Sequence, residues 1–340
     1  MSWQKTAWLV GAIVIAAVLP FFVYPVFLMQ AMALAIFACG FNLLLGYSGL
    51  LSFGQAALFG AAAYVCGYAA KAWHLPAELA ILCGTAASGV LGLLYGILAI
   101  RQRGIYLAMI TFALSQMIYF ICVQAPFTGG EDGLQGILPH SFLRIVDLGQ
   151  PLNLYYFELG VFVLALLLLW RIIESPFGQV LRAMKGNELR TVSLGYDVEV
   201  LKLVCFAMSG AFSGLGGSLQ AFALGFASLD NVQWHLNGEV ILMTLLGGLG
   251  TFFGPVVGAV LVLSIENYLA SLGGVVTIVE GVVFATIVMT FRRGLVGELQ
   301  PRLGRLLQLS TRRVAIEALP VDPVPAVKRP SDVADSRSVA

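Results

Sequence analysis

Long apolar runs separated by short polar breaks make up most of the first 291 residues. The runs cover residues 7–29, 31–45, 53–70, 77–100, 105–123, 154–170, 200–224, 240–249, 256–269 and 275–291. A membrane-spanning helix needs roughly 20 mainly apolar residues, so the longer runs predict one crossing each. Run 7–29 is longer than the apolar core of a signal peptide, about 7–15 residues, and more apolar sequence follows at once. It predicts a retained first span. The two half-length runs, 240–249 and 256–269, are split by GTFFGP and predict either two short crossings or a re-entrant hairpin.

Basic residues decide how the short runs are counted, because cytoplasmic loops carry an excess of Lys and Arg. With a cytoplasmic N-terminus and one crossing per run, Lys5, Arg101, Arg103, Arg171, Arg182, Lys185, Arg190 and Lys202 fall inside, and only Lys71 and Arg144 fall outside. Had 240–269 crossed once, the basic tail would lie outside. The expected fold is therefore all-α: a polytopic helical membrane protein of about 9–10 transmembrane helices, some short or broken, with cytoplasmic N- and C-termini. Two regions are expected, a transmembrane domain over 1–291 and a basic, partly disordered cytoplasmic tail over 292–340.

Composition agrees. Of the 340 residues 59% are hydrophobic and 11% charged, against about 25% charged in a soluble domain. The last 49 residues hold 14 of the 37 charges, so the rest is poorer still. This excludes a soluble enzyme, a nucleic-acid binder and a wholly disordered chain. Net charge is +1, which points to no polyionic partner. Cys39, Cys66, Cys83, Cys122 and Cys205 sit singly in apolar runs without zinc or CxxC spacing, and His74, His140 and His235 do not cluster. No metal site is expected. The chain has no GxxxxGK[ST] loop, and no hydrolase or kinase pattern, so no enzyme activity and no ATP site of its own is expected.

Two interruptions share a pattern. Residues 44–59 read LLGYSGLLSFGQAALF and residues 245–257 read LLGGLGTFFGPVV. Each has LLG, small residues, then an aromatic–Gly pair opening the next helix. Ser52 and Gln55 have capping-box spacing. Pro255 suits a first helical position, and Gly250, Gly254 and Gly258 form a small-residue face. Short Gly/Pro-interrupted segments in matching places of two halves point to a transport pathway. Its candidate residues are Asn42, Ser48, Ser52, Gln55, Gly250, Thr251, Gly254, Pro255 and Glu280.

Residues 174–199, ESPFGQVLRAMKGNELRTVSLGYDVE, are too charged for hydrocarbon. Pro176 after Ser175 suits a helix start, and Val180, Leu181 and Met184 fall at helical spacing beside Arg182 and Lys185. A short amphipathic helix is expected, lying on lipid or docking a cytosolic partner.

NLLLGYSGLLSFGQAALFGAAAY (42–64), RGIYLAMITFALSQM (103–117), TGGEDGLQGI (128–137), ESPFGQVLRAMKGNELRTVSLGYD (174–197), KLVCFAMSGAFSGLGGSL (202–219), GEVILMTLLGGLGTFFGPVVGA (238–259) and FRRGLVG (291–297) follow one another in this chain. In that order they resemble the permease subunits of branched-chain amino-acid ABC importers, the LivM type rather than its LivH-type partner. The resemblance covers roughly residues 30–297. It implies a bacterial inner-membrane subunit that carries leucine, isoleucine and valine beside a second, LivH-type permease, two ABC ATPases and a periplasmic substrate-binding protein. ATP and Mg would sit on the partner subunits, with no cofactor in this chain. It makes 174–199 the coupling segment, with Glu174, Pro176, Phe177, Leu181, Arg182, Met184, Lys185, Glu188 and Arg190 against an ATPase and Leu181 and Met184 filling its groove. It makes Thr128, Gly129, Gly130, Glu131 and Asp132 a periplasmic mouth. Urea, amides and other amino acids are alternative substrates within the class. A secondary transporter is the rival class, and its ion-coupling groups would be sought at Glu239, Glu266 and Glu280.

Overall fold

The computed structural model describes residues 16–102, 104–139, 148–269, 281–282, 285–286 and 294–296. Arg103, His140, Arg144, Glu280, nearly all of the last run and the tail apart from 294–296 lie outside the described residues, so the expectations placed on them are not addressed below.

The described chain is all-α and multi-pass. Its helices are α1 (Pro25–Asn42), continued by one π-helical turn (Leu43–Tyr47), α2 (Gln55–Ala72), α3 (Ala77–Ala99), α4 (Ile105–Gln124), α5 (Pro151–Glu174), α6 (Pro176–Gly186), α7 (Glu188–Ser193), α8 (Val198–Leu224), α9 (Trp234–Gly247) and α10 (Gly254–Leu269). Five are long and apolar enough to span: α1 with its π turn, α3, α4, α5 and α8. With 14 residues α9 reaches only ~21 Å, short of the ~30 Å hydrocarbon core, and α10 is described over 16 residues, ~24 Å.

One boundary differs from the pattern. The apolar runs put the first break at Gln30; the structure puts it at residues 22–24, between Pro20 and Pro25. Proline lacks the N–H that a helix interior needs but suits a first turn. Pro25 therefore opens α1, and Gln30 is carried half-buried inside it. The short run 31–45 becomes part of a full-length span.

The centre of the bundle is α8, which packs against α3, α1 and α2. Its sequence SGAFSGLGGS lets backbones touch. A Cβ at Gly210, Gly216 or Gly217 would overlap the carbonyl oxygens of Ser88, Ala33 or Phe59. Ser88 Oγ donates to Gly210 O and Ser209 Oγ to Gly40 O, both at 2.7 Å. Lipid tails give helices no hydrophobic reason to associate, so close backbone approach and interhelical hydrogen bonds carry the packing.

The helices alternate in direction. Arg101, Arg171, Arg182, Lys185, Arg190 and Lys202 gather at one end, called the basic end below. Lys71 stands at the opposite end, where its Nζ donates to Gln135 O at 2.9 Å. There the two-residue strands β1 (Leu134–Gln135) and β2 (Phe226–Ala227) pair antiparallel and tie the loop after α4 to the end of α8.

The close contacts of α8 give opposite expectations for two glycines. Gly217→Ala meets the Phe59 carbonyl and should destabilise the protein by about 3 kcal/mol, at the upper end of overpacking. Gly89→Ala has room, since its Cβ would lie 3.5 Å from Ala211 Cβ; it should leave the melting temperature unchanged or raise it. Thermal unfolding in detergent separates the two, and equal melting temperatures would contradict the packing account.

Candidate translocation and coupling site

Two helix ends lie inside the protein at the break between α1 and α2. The first is the C-terminal end of α1. Helix ends leave carbonyls without intrahelical partners, and several of these are met. Leu44 O accepts from Ser48 Oγ at 2.5 Å and from Leu50 N at 3.0 Å. Leu43 O accepts from Cys205 Sγ at 3.7 Å. Gly46 O accepts from Lys185 Nζ at 2.7 Å. An ammonium at a helix C-terminus also complements the helix dipole.

The second end is the N-terminus of α2. Gln55 is fully buried, and its Oε1 accepts from Ser213 Oγ at 2.8 Å and lies 3.3 Å from Ser209 Oγ. Both serines lie near the middle of the 27-residue α8. Ser209 also bonds Gly40, about 10 Å of helix rise before Tyr47. The chain therefore turns back into the membrane after α1 before α2 begins. The amides opening α2 find side-chain acceptors: Phe53 N donates to Thr111 Oγ1 at 3.0 Å, Gly54 N to Ser52 Oγ at 3.2 Å, and Ala56 N to Asn237 Oδ1 at 2.9 Å.

The expected capping box does not form. The N-cap is Gly54, without a side-chain cap, and Ser52 serves Gly54 instead. Gln55 is drawn to the two serines of α8 because an amide buried in the membrane must find partners there.

Asn42 joins the two interruptions. Its Oδ1 accepts from Gly250 N and its Nδ2 donates to Thr251 O, both at 2.9 Å. Gly250 has φ +73°, the left-handed region that suits glycine. Of the small-residue face, Gly254 and Gly258 do pack against the α9 backbone, Gly258 beneath Met243 O. Gly250 lies in the turn instead, and Gly247 takes its place opposite Gly254. Pro255 is the second residue of α10, one place after the first position expected for it.

The segment expected to couple, 174–199, holds α6 and α7. Ser175 is the N-cap and Pro176 the first residue of α6. Its apolar stripe faces inward: Leu181 is 0% and Met184 4% exposed, while Phe177 is half-buried. The expectation that Leu181 and Met184 fill a partner's groove is therefore overturned, because they pack within this chain's own core. Arg182 stacks over the Tyr47 ring, 5.4 Å from its centroid, and its Nη2 donates to Ile173 O at 3.1 Å. Glu188 of α7 bonds the buried Lys202 of α8 at 2.7 Å. Glu174, Pro176, Arg182, Lys185 and Arg190 are exposed. So are Leu189 at 71%, Val192, Leu194 at 69% and Tyr196, an apolar patch on α7 and the turn after it.

At the opposite end, Glu131 and Asp132 are exposed on a single 3₁₀ turn, with Gly129 and Gly130 at positive φ. Thr128 is not at a mouth surface; it is buried, and its Oγ1 donates to Cys122 O and Ala125 O.

Asn237, Thr111, Ser209 and Ser213 were not singled out in the sequence. Thr111, Ser209 and Ser213 are polar residues within apolar runs, and that was the available signal, whereas Asn237 lies in the polar break before run 240–249. Glu158 was missed as well. It is fully buried in α5, and neither carboxylate oxygen has a hydrogen-bond partner. Among the described residues no cluster of His, Cys, Asp and Glu is arranged to hold a metal.

Residues 25–291 match the family model described as branched-chain amino acid transport system / permease component. The chain is 27% identical over 255 residues to the high-affinity branched-chain amino acid transport system permease protein LivM of Salmonella typhimurium, covering 68% of this chain and 60% of that protein. It is 26% identical over 249 residues to LivM of Escherichia coli, covering 66% and 59%. It is also 29% identical over 227 residues to the guanosine ABC transporter permease protein NupP of Bacillus subtilis, covering 65% and 61%. The matches thus span about 60% of the length of these relatives. No solved structure matches.

The Asn42 bridge has a measurable consequence. Asn42→Ala leaves Gly250 N–H and Thr251 C=O without their partner, and each such loss costs about 1–3 kcal/mol. The melting temperature should fall, and a cysteine placed at Phe253, beside the turn, should react faster with a thiol reagent in a background without the native cysteines. An unchanged reaction rate would mean that the turn is held by other contacts.

Proposed function

The chain belongs to the permease-component family of branched-chain amino acid transport systems. From that membership we propose that it is the membrane subunit of an ATP-driven importer in the bacterial inner membrane, moving branched-chain amino acids through a pathway shared with a second permease. Two ATPases lie beneath it and hold the ATP and Mg²⁺. A periplasmic binding protein delivers the ligand near Glu131 and Asp132. By the excess of basic residues, the basic end faces the cytoplasm.

One observation carries the coupling part of this reading: Lys185 of α6 holds the open end of α1 through Gly46 O. The buried Leu181 and Met184 anchor α6 to the membrane domain. A push on α6 and α7 therefore reaches the break itself, and Asn42 passes it to the α9–α10 turn. The exposed Leu189, Val192, Leu194 and Tyr196 supply the apolar contact for the ATPase, since a few buried apolar anchors dominate most interfaces. Exposed charges such as Arg190 contribute less, about 0–1 kcal/mol each.

The similarity to a guanosine permease favours a second substrate class, so transport should be assayed with both. The intact complex in liposomes is expected to take up leucine, isoleucine and valine in an ATP-dependent way and to ignore guanosine; the reverse selectivity would overturn the substrate reading.

Docking gives a sharper test. Leu189→Asp with Leu194→Asp should leave the chain folded but lower co-purification of the ATPase and uptake at least tenfold, because interface anchors contribute about 2 kcal/mol or more each. Leu181→Asp with Met184→Asp should instead collapse the yield of folded permease. Normal transport by the first pair would show that α7 is not the docking surface.

A further inference from the structure

The break that opens α1 also leaves the N-terminus of α2 at mid-membrane depth, level with Ser209 and Ser213. The first turn of a helix presents free N–H groups and a partial positive charge, and so favours anions. Here that end comes with two further donors. Gln55 is 0% and Asn237 1% exposed, and the amide nitrogen of each, Nε2 and Nδ2, has no hydrogen-bond partner. Asn237 is fixed at this terminus, because its Oδ1 takes the Ala56 N–H. With the Gln55 amide as placed, both serines meet Oε1 and Nε2 is the vacant end. Buried donors without acceptors are rare in native proteins and call for an explanation.

Beside this polar pole is a groove of about 620 Å³ walled by Leu50, Phe53, Met109, Phe112 and Trp234. Among the described residues no charged side chain lines it. Trp234 stands three positions before Asn237 on α9, hence on the same face, and Phe53 stands two positions before Gln55. Phe53 and Trp234, which line the groove, thus stand within one helical turn along the chain of Gln55 and Asn237, which do not line it. Small-molecule sites combine these features: an apolar chamber with a few convergent polar groups, at the end of a discontinuous helix within the membrane.

We propose that this is a transit site for a small amphiphilic carboxylate, an α-amino acid with a branched aliphatic side chain. The side chain lodges between Trp234, Phe53 and Met109. The carboxylate takes Gln55 Nε2 and Asn237 Nδ2 at the N-terminal end of α2. A carboxylate is otherwise expensive to hold in a membrane interior, and a sugar or nucleoside, lacking that anion, gains nothing from these donors. In this structure the donors are sealed from the groove, and the site forms when Phe53 and Trp234 part. Residues 49–53 are the segment able to do this, since Gly49 has φ +77° and carries the Lys185 stem against it. The proposal rests on the importer reading and adds where its substrate stops.

The test uses the complete importer in liposomes, with leucine-loaded binding protein. Asn237→Asp still accepts the Ala56 N–H but replaces the orphan donor with an anion. It should assemble with its partners and lower the leucine moved per ATP hydrolysed at least tenfold. Trp234→Ala removes a half-exposed side chain that the fold does not depend on; it should lower the leucine-to-valine uptake ratio at least threefold with both ligands saturating. Leucine per ATP within twofold of wild type in Asn237→Asp would overturn the site. So would an unchanged leucine-to-valine ratio in Trp234→Ala, which decides the matter should the aspartate variant fail to assemble. Absence of ATP-dependent leucine uptake by the wild-type complex would overturn the importer reading instead, so the two failures are told apart.

Discussion

A backbone that leaves its helix inside a membrane has no water to turn to, so every freed N–H and C=O must find a partner in the protein. Among the described residues this chain breaks twice, after Tyr47 and after Gly247, and its tertiary order follows from meeting that constraint. The partners come from far along the sequence. Asn42 serves Gly250 and Thr251, Thr111 serves Phe53, Asn237 serves Ala56 and Lys185 serves Gly46. A few polar side chains therefore hold together segments some 60 to 200 positions apart.

The same economy separates a fixed part from a movable one. Around α8 the contacts are backbone against backbone through Gly210, Gly216 and Gly217, and any slide there meets a carbonyl at once. Close-packed contacts of this kind are not continuously deformable. At the breaks the side-chain ties are a few hydrogen bonds, each contributing about 1 kcal/mol net and exchangeable for another. Motion is therefore expected where the bonds are few, in residues 48–54, the α9–α10 turn and α6–α7. These are the elements that meet at Gly46. The arrangement suits a subunit that converts a push at its basic end into movement of half-helices within the membrane.

Much of the fold was legible in the sequence. Apolar run length marked the helices, the asymmetry of Lys and Arg marked one end, and the LLG interruptions marked both breaks. The charged stretch after α5 announced a short amphipathic helix, and it forms as α6. Other features were not legible, for identifiable reasons. The direction of the α6 stripe cannot be told from periodicity alone, because a stripe facing a partner and one facing the chain's own core read alike; Leu181 and Met184 turned inward. The capping-box spacing at Ser52 and Gln55 is a local signal, and a distant pair of serines outweighed it. Asn237 and Glu158 carry no motif. The first break lay in the placement of Pro20 and Pro25 rather than in hydropathy, since residues on both sides of it are apolar.

The central claim is that α6, the open end of α1 and the α9–α10 turn are tied through Lys185, Gly46 and Asn42 and move as one unit. Spin labels at Gln179 on α6, Phe253 beside the turn and Glu131 at the opposite end, placed in the assembled complex without native cysteines, report this directly as pairwise distances. On going from the nucleotide-free to the ATP-bound complex, the 131–179 and 131–253 distances should change together while the 179–253 distance holds constant. A 179–253 distance that changes while 131–253 stays fixed would contradict the account.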